Sequence, residues 1–94
     1  MGALSGQRTI TTAGTELALA ASSRVQCAVA VKALTTNTGL MYVGNAGDGT
    51  VSSSTGFPLA AGDVILFEYV DDLASIMVDS AVNGEGVAYL VLHE

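Results

Sequence analysis

Arg24-Val25-Gln26-Cys27-Ala28-Val29-Ala30-Val31-Lys32-Ala33 is the stretch that decides the fold. Val25, Cys27, Val29, Val31 and Ala33 alternate with Arg24, Gln26, Ala28, Ala30 and Lys32. A period of two marks a strand with one buried and one wetted face. Sliding the pairing by one residue would drive both cations into the core, so the register is well specified.

Outward from this strand, turn signals recur about every 8–12 residues, the spacing of a sandwich or barrel. Ala13-Gly14, Ser22-Ser23, Asn37-Thr38-Gly39, the loop 44–49, Pro58 with Gly62-Asp63, and Asn83-Gly84-Glu85-Gly86 divide the chain. Asn and Gly supply the positive φ that such turns need. Between them, strands are expected at about 8–12, 15–20, 40–43, 64–70, 73–78 and 87–93, with 51–55 a weak strand or a loop. The alanines of 15–20 leave a helical turn open there. Residues 1–6 read as a flexible arm of small residues and 7–94 as one domain. The expected fold is all-β: a single antiparallel β-sandwich of about seven or eight strands, jelly-roll or Greek-key like.

Composition narrows the chemistry. The chain has 94 residues, only 13% of them charged, against roughly 25% in typical globular domains. Arg8, Arg24 and Lys32 are the three cations against nine acids, for a net charge of −6. Phosphate backbones are bound by clustered Lys and Arg, and three scattered cations argue against a nucleic-acid partner. No apolar run approaches the ~18 residues of a membrane helix, and the first residues lack the basic and apolar regions of a signal peptide. A single cysteine, Cys27, forms no internal disulfide and fits a core strand. Folding in a reducing cytoplasm, away from membranes, is the expectation.

Catalytic and metal-binding candidates are few. His93 is the only histidine, and no nucleophile-elbow pattern accompanies it. A thiol among valines is a poor nucleophile, because an apolar setting raises its pKa and blocks access. One Cys and one His cannot complete a zinc site. For calcium, Asp48 stands alone in its loop, and the side chains of Asp71 and Asp72 diverge on an extended strand. The loop 44–49 has no Lys after it and opens no helix, unlike a phosphate cradle. No enzyme, cofactor or metal is expected. A carbohydrate- or receptor-binding module, using loops 45–49 and 52–57, is the alternative, although five aromatic residues and no Trp make a thin sugar platform.

The segment Val87-Ala88-Tyr89-Leu90-Val91-Leu92-His93 is apolar on both faces, with Val87, Tyr89 and Val91 on one side and Ala88, Leu90 and Leu92 on the other. Residues 64–70 repeat this, with Ile65, Phe67 and Tyr69 opposite Val64, Leu66 and Val70 around Glu68. Residues 73–79 set Ala74, Ile76 and Val78 against Leu73, Ser75, Met77 and Asp79. Two readings fit. These are central strands covered by the Ala-rich 15–21 segment, or their second face is an assembly surface. On the second reading Val87, Tyr89, Val91, Leu66 and Met77 are the candidate interface residues.

Cys27-Ala28-Val29-Ala30-Val31-Lys32-Ala33, followed by Asn37-Thr38-Gly39-Leu40-Met41-Tyr42-Val43-Gly44, resembles a pattern common in small tailed-phage structural proteins. Gly56-Phe57-Pro58-Leu59, Ala61-Gly62-Asp63, Asp72 to Val78 and Gly86-Val87-Ala88-Tyr89-Leu90 continue the resemblance, which covers the chain from about residue 24 onward. It implies a virion protein made in the host cytoplasm: a head decoration (cement) protein, or a small tail or fibre component. Implied partners are further copies of the chain, a homotrimer being favoured, and the major capsid protein.

Overall fold

The computed structural model describes residues 4–20, 24–45 and 51–92. Eight strands follow one another: β1 (Leu4–Ile10), β2 (Leu17–Ala18), β3 (Arg24–Ala33), β4 (Met41–Asn45), β5 (Phe57–Leu59), β6 (Val64–Asp72), β7 (Ile76–Ser80) and β8 (Glu85–Leu92). One 3-10 turn, Leu73–Ser75, separates β6 from β7. The strands form two four-stranded sheets, ordered β1-β8-β3-β6 (sheet I) and β2-β7-β4-β5 (sheet II). Every strand pairs antiparallel with its counterpart from the other end of the chain: β1 with β8, β2 with β7, β3 with β6 and β4 with β5. The chain is thus one long hairpin, bent between β4 and β5 and rolled into a sandwich. That is the jelly-roll form of the expected fold.

The core lies between the sheets. Val29, Val31, Ala33, Val87, Val91 and Ile10 reach it from sheet I, and Met41, Val43, Leu59, Ile76 and Val78 from sheet II, with Leu19 beside them. Arg8 clasps the two layers by donating its Nε–H to the carbonyl of Ala18 at 2.7 Å. The alternation read from residues 24–33 holds, with one departure at its start. Gln26 adopts φ 50, and β3 shifts register against β6 on both sides of Cys27. An extra residue on β3 is followed by an extra residue on β6, so the ladder regains its original register by Val29 and Phe67. A bulge of this kind re-aims side chains. It turns Val70 into the core and leaves Tyr69 on the surface, whereas unbroken alternation puts Tyr69 with Ile65 and Phe67.

Other boundaries differ for identifiable reasons. β1 begins at Leu4, so residues 4–6 of the expected arm pair with Val91, Leu90 and Tyr89; residues 1–3 lie outside the described residues. Gly6 belongs in that strand because a Cβ there would meet the Tyr89 hydroxyl at 2.6 Å. The expected strand at 73–78 starts three residues late. Asp72 accepts the Ala74 N–H at 2.9 Å and caps the 3-10 turn, which holds those residues out of extended pairing. Pro58 sits inside β5, an edge strand paired only with β4, where a missing N–H is tolerated. Residues 51–56 form turns rather than a strand.

One polar knot fixes the start of β8. The buried Asn37 side chain donates to the Gly86 carbonyl at 2.9 Å and accepts the Gly86 N–H at 3.3 Å, extending the ladder with a side chain. Gly86 is required because a Cβ would lie 2.3 Å from the Arg8 carbonyl oxygen. Beside it, the Glu85 carboxylate accepts the Thr38 N–H, the Gly39 N–H and the Thr38 hydroxyl.

Candidate functional site

The outer faces of the two sheets differ sharply. On sheet II, Tyr42, Gly44, Met77 and Asp79 point away from the core, and the chain covers them itself. Val51 seats directly on Gly44, where a Cβ would meet its Cγ2 at 2.6 Å, and Gly56 lies equally close to Tyr42. The Gly14 N–H donates to Asp79 Oδ1 at 3.0 Å, closing the 13–14 turn over that carboxylate. Glu16 accepts the Val51 N–H at 2.9 Å and ties the two covering segments together. Asp79, 2% exposed, is thereby satisfied. The Ala-rich stretch covers only with its first residues, at Glu16, and then Leu17 and Ala18 join sheet II as β2.

Sheet I has no such cover among the described residues. Its outward residues fall in cross-strand rows: Ser5, Leu90, Ala30 and Leu66, then Gln7, Ala88, Lys32 and Val64. Leu92 pairs with Ala28 in a third row. Leu66 is 55% exposed, Val64 58% and Leu90 40%. Ala30, Lys32, Val64, Ala88 and Leu90 border a shallow depression of about 270 Å³. A second, larger groove of about 480 Å³ runs past the bulge, between Ala28, Leu92, Glu68 and Tyr69. Ala88, Ala30 and Ala28 are the small residues of the face, with Leu90 and Leu92 on the inner strand β8 and Val64 and Leu66 on the edge strand β6. Large exposed apolar patches on a soluble protein mark contact sites.

The five candidate interface residues separate on this framework. Val87 and Val91 are fully buried in the core, and Tyr89 packs against it. Met77 is partly buried on sheet II. Of the five, Leu66 alone stands on the open face of sheet I. The apolar surplus in the last strand is real, and its free side is Ala88, Leu90 and Leu92. Two of the three double-faced segments, β6 and β8, thus share one surface, and the third is covered by the chain. The bulge that settles the face of Tyr69 left no mark in the alternation of residue types.

The residues singled out for chemistry do not converge. Cys27 is partly exposed beside the bulge. Asp71 is on the surface, 3.4 Å from Arg24 and 3.3 Å from the Gln26 amide, while Asp72 turns to its cap. Among the described residues no three His, Cys, Asp or Glu side chains come together as a metal site would require. His93 and Asp48 lie outside the described residues, as does most of the 44–49 loop. Residues 52–55 close a tight turn through the Ser52 and Thr55 hydroxyls. Among the described residues Glu85 is perturbed: it is held below the ordinary glutamate value of 4.5, chiefly by the Thr38 backbone N–H, then by that of Gly39, with the Thr38 hydroxyl adding to both and partial desolvation opposing them. Its role is to pin the 37–39 turn to β8.

The chain matches no protein-family model, no curated protein and no solved structure. Jelly rolls serve in capsids, lectins and enzymes alike, so a function has to be argued from the surface itself.

Proposed function

We propose that the protein is a non-enzymatic virion component of a tailed phage, a head decoration or cement protein that lays the outer face of sheet I on the capsid shell. One observation carries the reading: residues 13–16 and 51–56 cover the outer face of sheet II, while among the described residues nothing covers the Leu90-Ala30-Leu66 row of sheet I. A face of alanine and leucine, charged at Lys32 and, on its edge strand, Glu68, is inexpensive to desolvate and suits a broad, low-relief partner. The resemblance of residues 24–90 to small phage structural proteins supplies the shell as that partner. Cement proteins act through contact area, and an inert scaffold with one adhesive face answers that need.

Purified protein mixed with heads of the phage that encodes it, and separately with its tails, tests the proposal by co-sedimentation. Saturable pelleting with heads is the expected result. Pelleting with tails alone, or calcium-dependent binding on a glycan array, would replace it with a receptor-binding role.

A further inference from the structure

Sheet I also ends in an unusual edge. Ala33 donates its N–H to the Asp63 carbonyl at 2.9 Å, continuing the β3–β6 ladder beyond the Lys32–Val64 pair. Alternate residues of an antiparallel strand bond to the same neighbour. Ile65 and Phe67 therefore bond to β3, and Val64 and Leu66 turn their N–H and C=O groups to the open side. No strand among the described residues occupies that side. Natural edges are blunted by shortness, proline or charge. β2 has two residues, β5 has three with Pro58 among them, and β1 carries Arg8; in β6 the guards, Glu68 and the bulge, come only after the unguarded run Val64-Ile65-Leu66-Phe67.

We propose that this edge pairs antiparallel with the same edge of a second copy, on a two-fold axis through Leu66, joining two sheets I into one of eight strands. Backbone geometry requires edge-facing residues to meet edge-facing residues, and Leu66 opposite its own equivalent forms a reciprocal bonded pair. Charge selects this register among those allowed. Glu68 of the second copy falls opposite Val64, in the row that holds Lys32 one strand further in. Strands lie about 4.8 Å apart, so the two Cα atoms are about 10 Å apart, a gap that Lys and Glu side chains close together. The two-fold makes this contact twice, whereas a register shifted by four residues sets Glu68 against its own copy. Area points the same way. A four-stranded face measures about 440 Å² from strand spacing and rise, below the about 800 Å² per partner of a stable interface. Two edge-joined faces reach it. The pairing rests on the assembly reading of sheet I and names the partner at its edge; a three-fold ring would need two different, mutually complementary patches.

Sedimentation velocity on the full chain over a concentration series tests the pairing. The expected species has twice the 9.5 kDa chain mass. Leu66→Pro deletes an edge-facing N–H that β3 does not use, and should give a folded monomer by circular dichroism. Lys32→Glu and Glu68→Lys should each weaken the dimer about tenfold, since each turns two attractions into repulsions, and the double exchange should restore it. If Leu66→Pro does not fold, the charge exchange decides. A monomer at all concentrations, a trimer, or a dimer indifferent to the charge exchange would overturn the pairing. A monomer that still pellets with heads removes the edge and keeps the face; a dimer that does not pellet does the reverse.

Discussion

Val91 and Leu90 are neighbours in one strand with opposite fates, and exchanging their side chains for smaller ones should separate core from surface. Val91 is fully buried between the sheets, and Leu90 is 40% exposed on the open face. Val91→Ala removes two methyl-sized groups, about 1.6 kcal/mol of transfer free energy. The space left, about 50 Å³, adds roughly 1 kcal/mol if it persists as a cavity. A loss of about 2.5 kcal/mol lowers the melting temperature of a domain this size by about 10–20 °C. Leu90→Ser leaves no cavity and should stay within about 0.5 kcal/mol. Urea denaturation followed by circular dichroism, at one fixed protein concentration, reads both. A Leu90→Ser loss equal to that of Val91→Ala would mean that both faces of β8 are core, and the open-face account would fail.

Other substitutions probe the knot at the start of β8. Gly86→Ala drives a methyl against the Arg8 carbonyl and should cost at least about 2 kcal/mol in urea midpoints, because only backbone movement relieves the clash. Asn37→Leu strands the buried N–H of Gly86 and leaves its carbonyl with the Leu34 N–H alone, and a loss of about 1–3 kcal/mol is expected in the same assay. Glu85 has a folded pKa below its unfolded 4.5, so its carboxylate stabilises the fold above that value and the contribution disappears as pH falls through the folded one. Glu85→Gln should therefore flatten the acid limb of a stability-versus-pH curve below 4.5; an unchanged limb would show that its three hydrogen bonds do not matter to folding.

Much of the fold was legible because sandwich formation is written in period-two patterning. The 24–33 strand declared its buried face and its register, since two cations stood on the other side. The final jelly-roll order was not legible, because nothing in a single strand names its partner. The bulge after Gln26 was equally hidden: a left-handed Gln has no compositional signature, and it moved Tyr69 and Val70 to opposite sides from those that alternation assigns. The surplus of apolar residues was read correctly as a feature of β6 and β8. Its free side was not, because Val87 and Val91 are no more apolar than Leu90 and Leu92. Only the closing of the second sheet over Val87 and Val91 decides which set is spent on folding. The cover on sheet II depends on contacts such as Val51 on Gly44, which join residues with no local pattern between them.

The open face of sheet I is the centre of the functional account, and a stability-matched surface variant addresses it directly. Leu66→Ser combined with Leu90→Ser removes the two large side chains of one row without touching the core. Co-sedimentation of this variant with phage heads, beside the wild type, is the decisive measurement. Wild-type protein should pellet saturably, and the variant should stay in solution with an unchanged melting temperature. Equal pelleting of both would contradict a role for the open face.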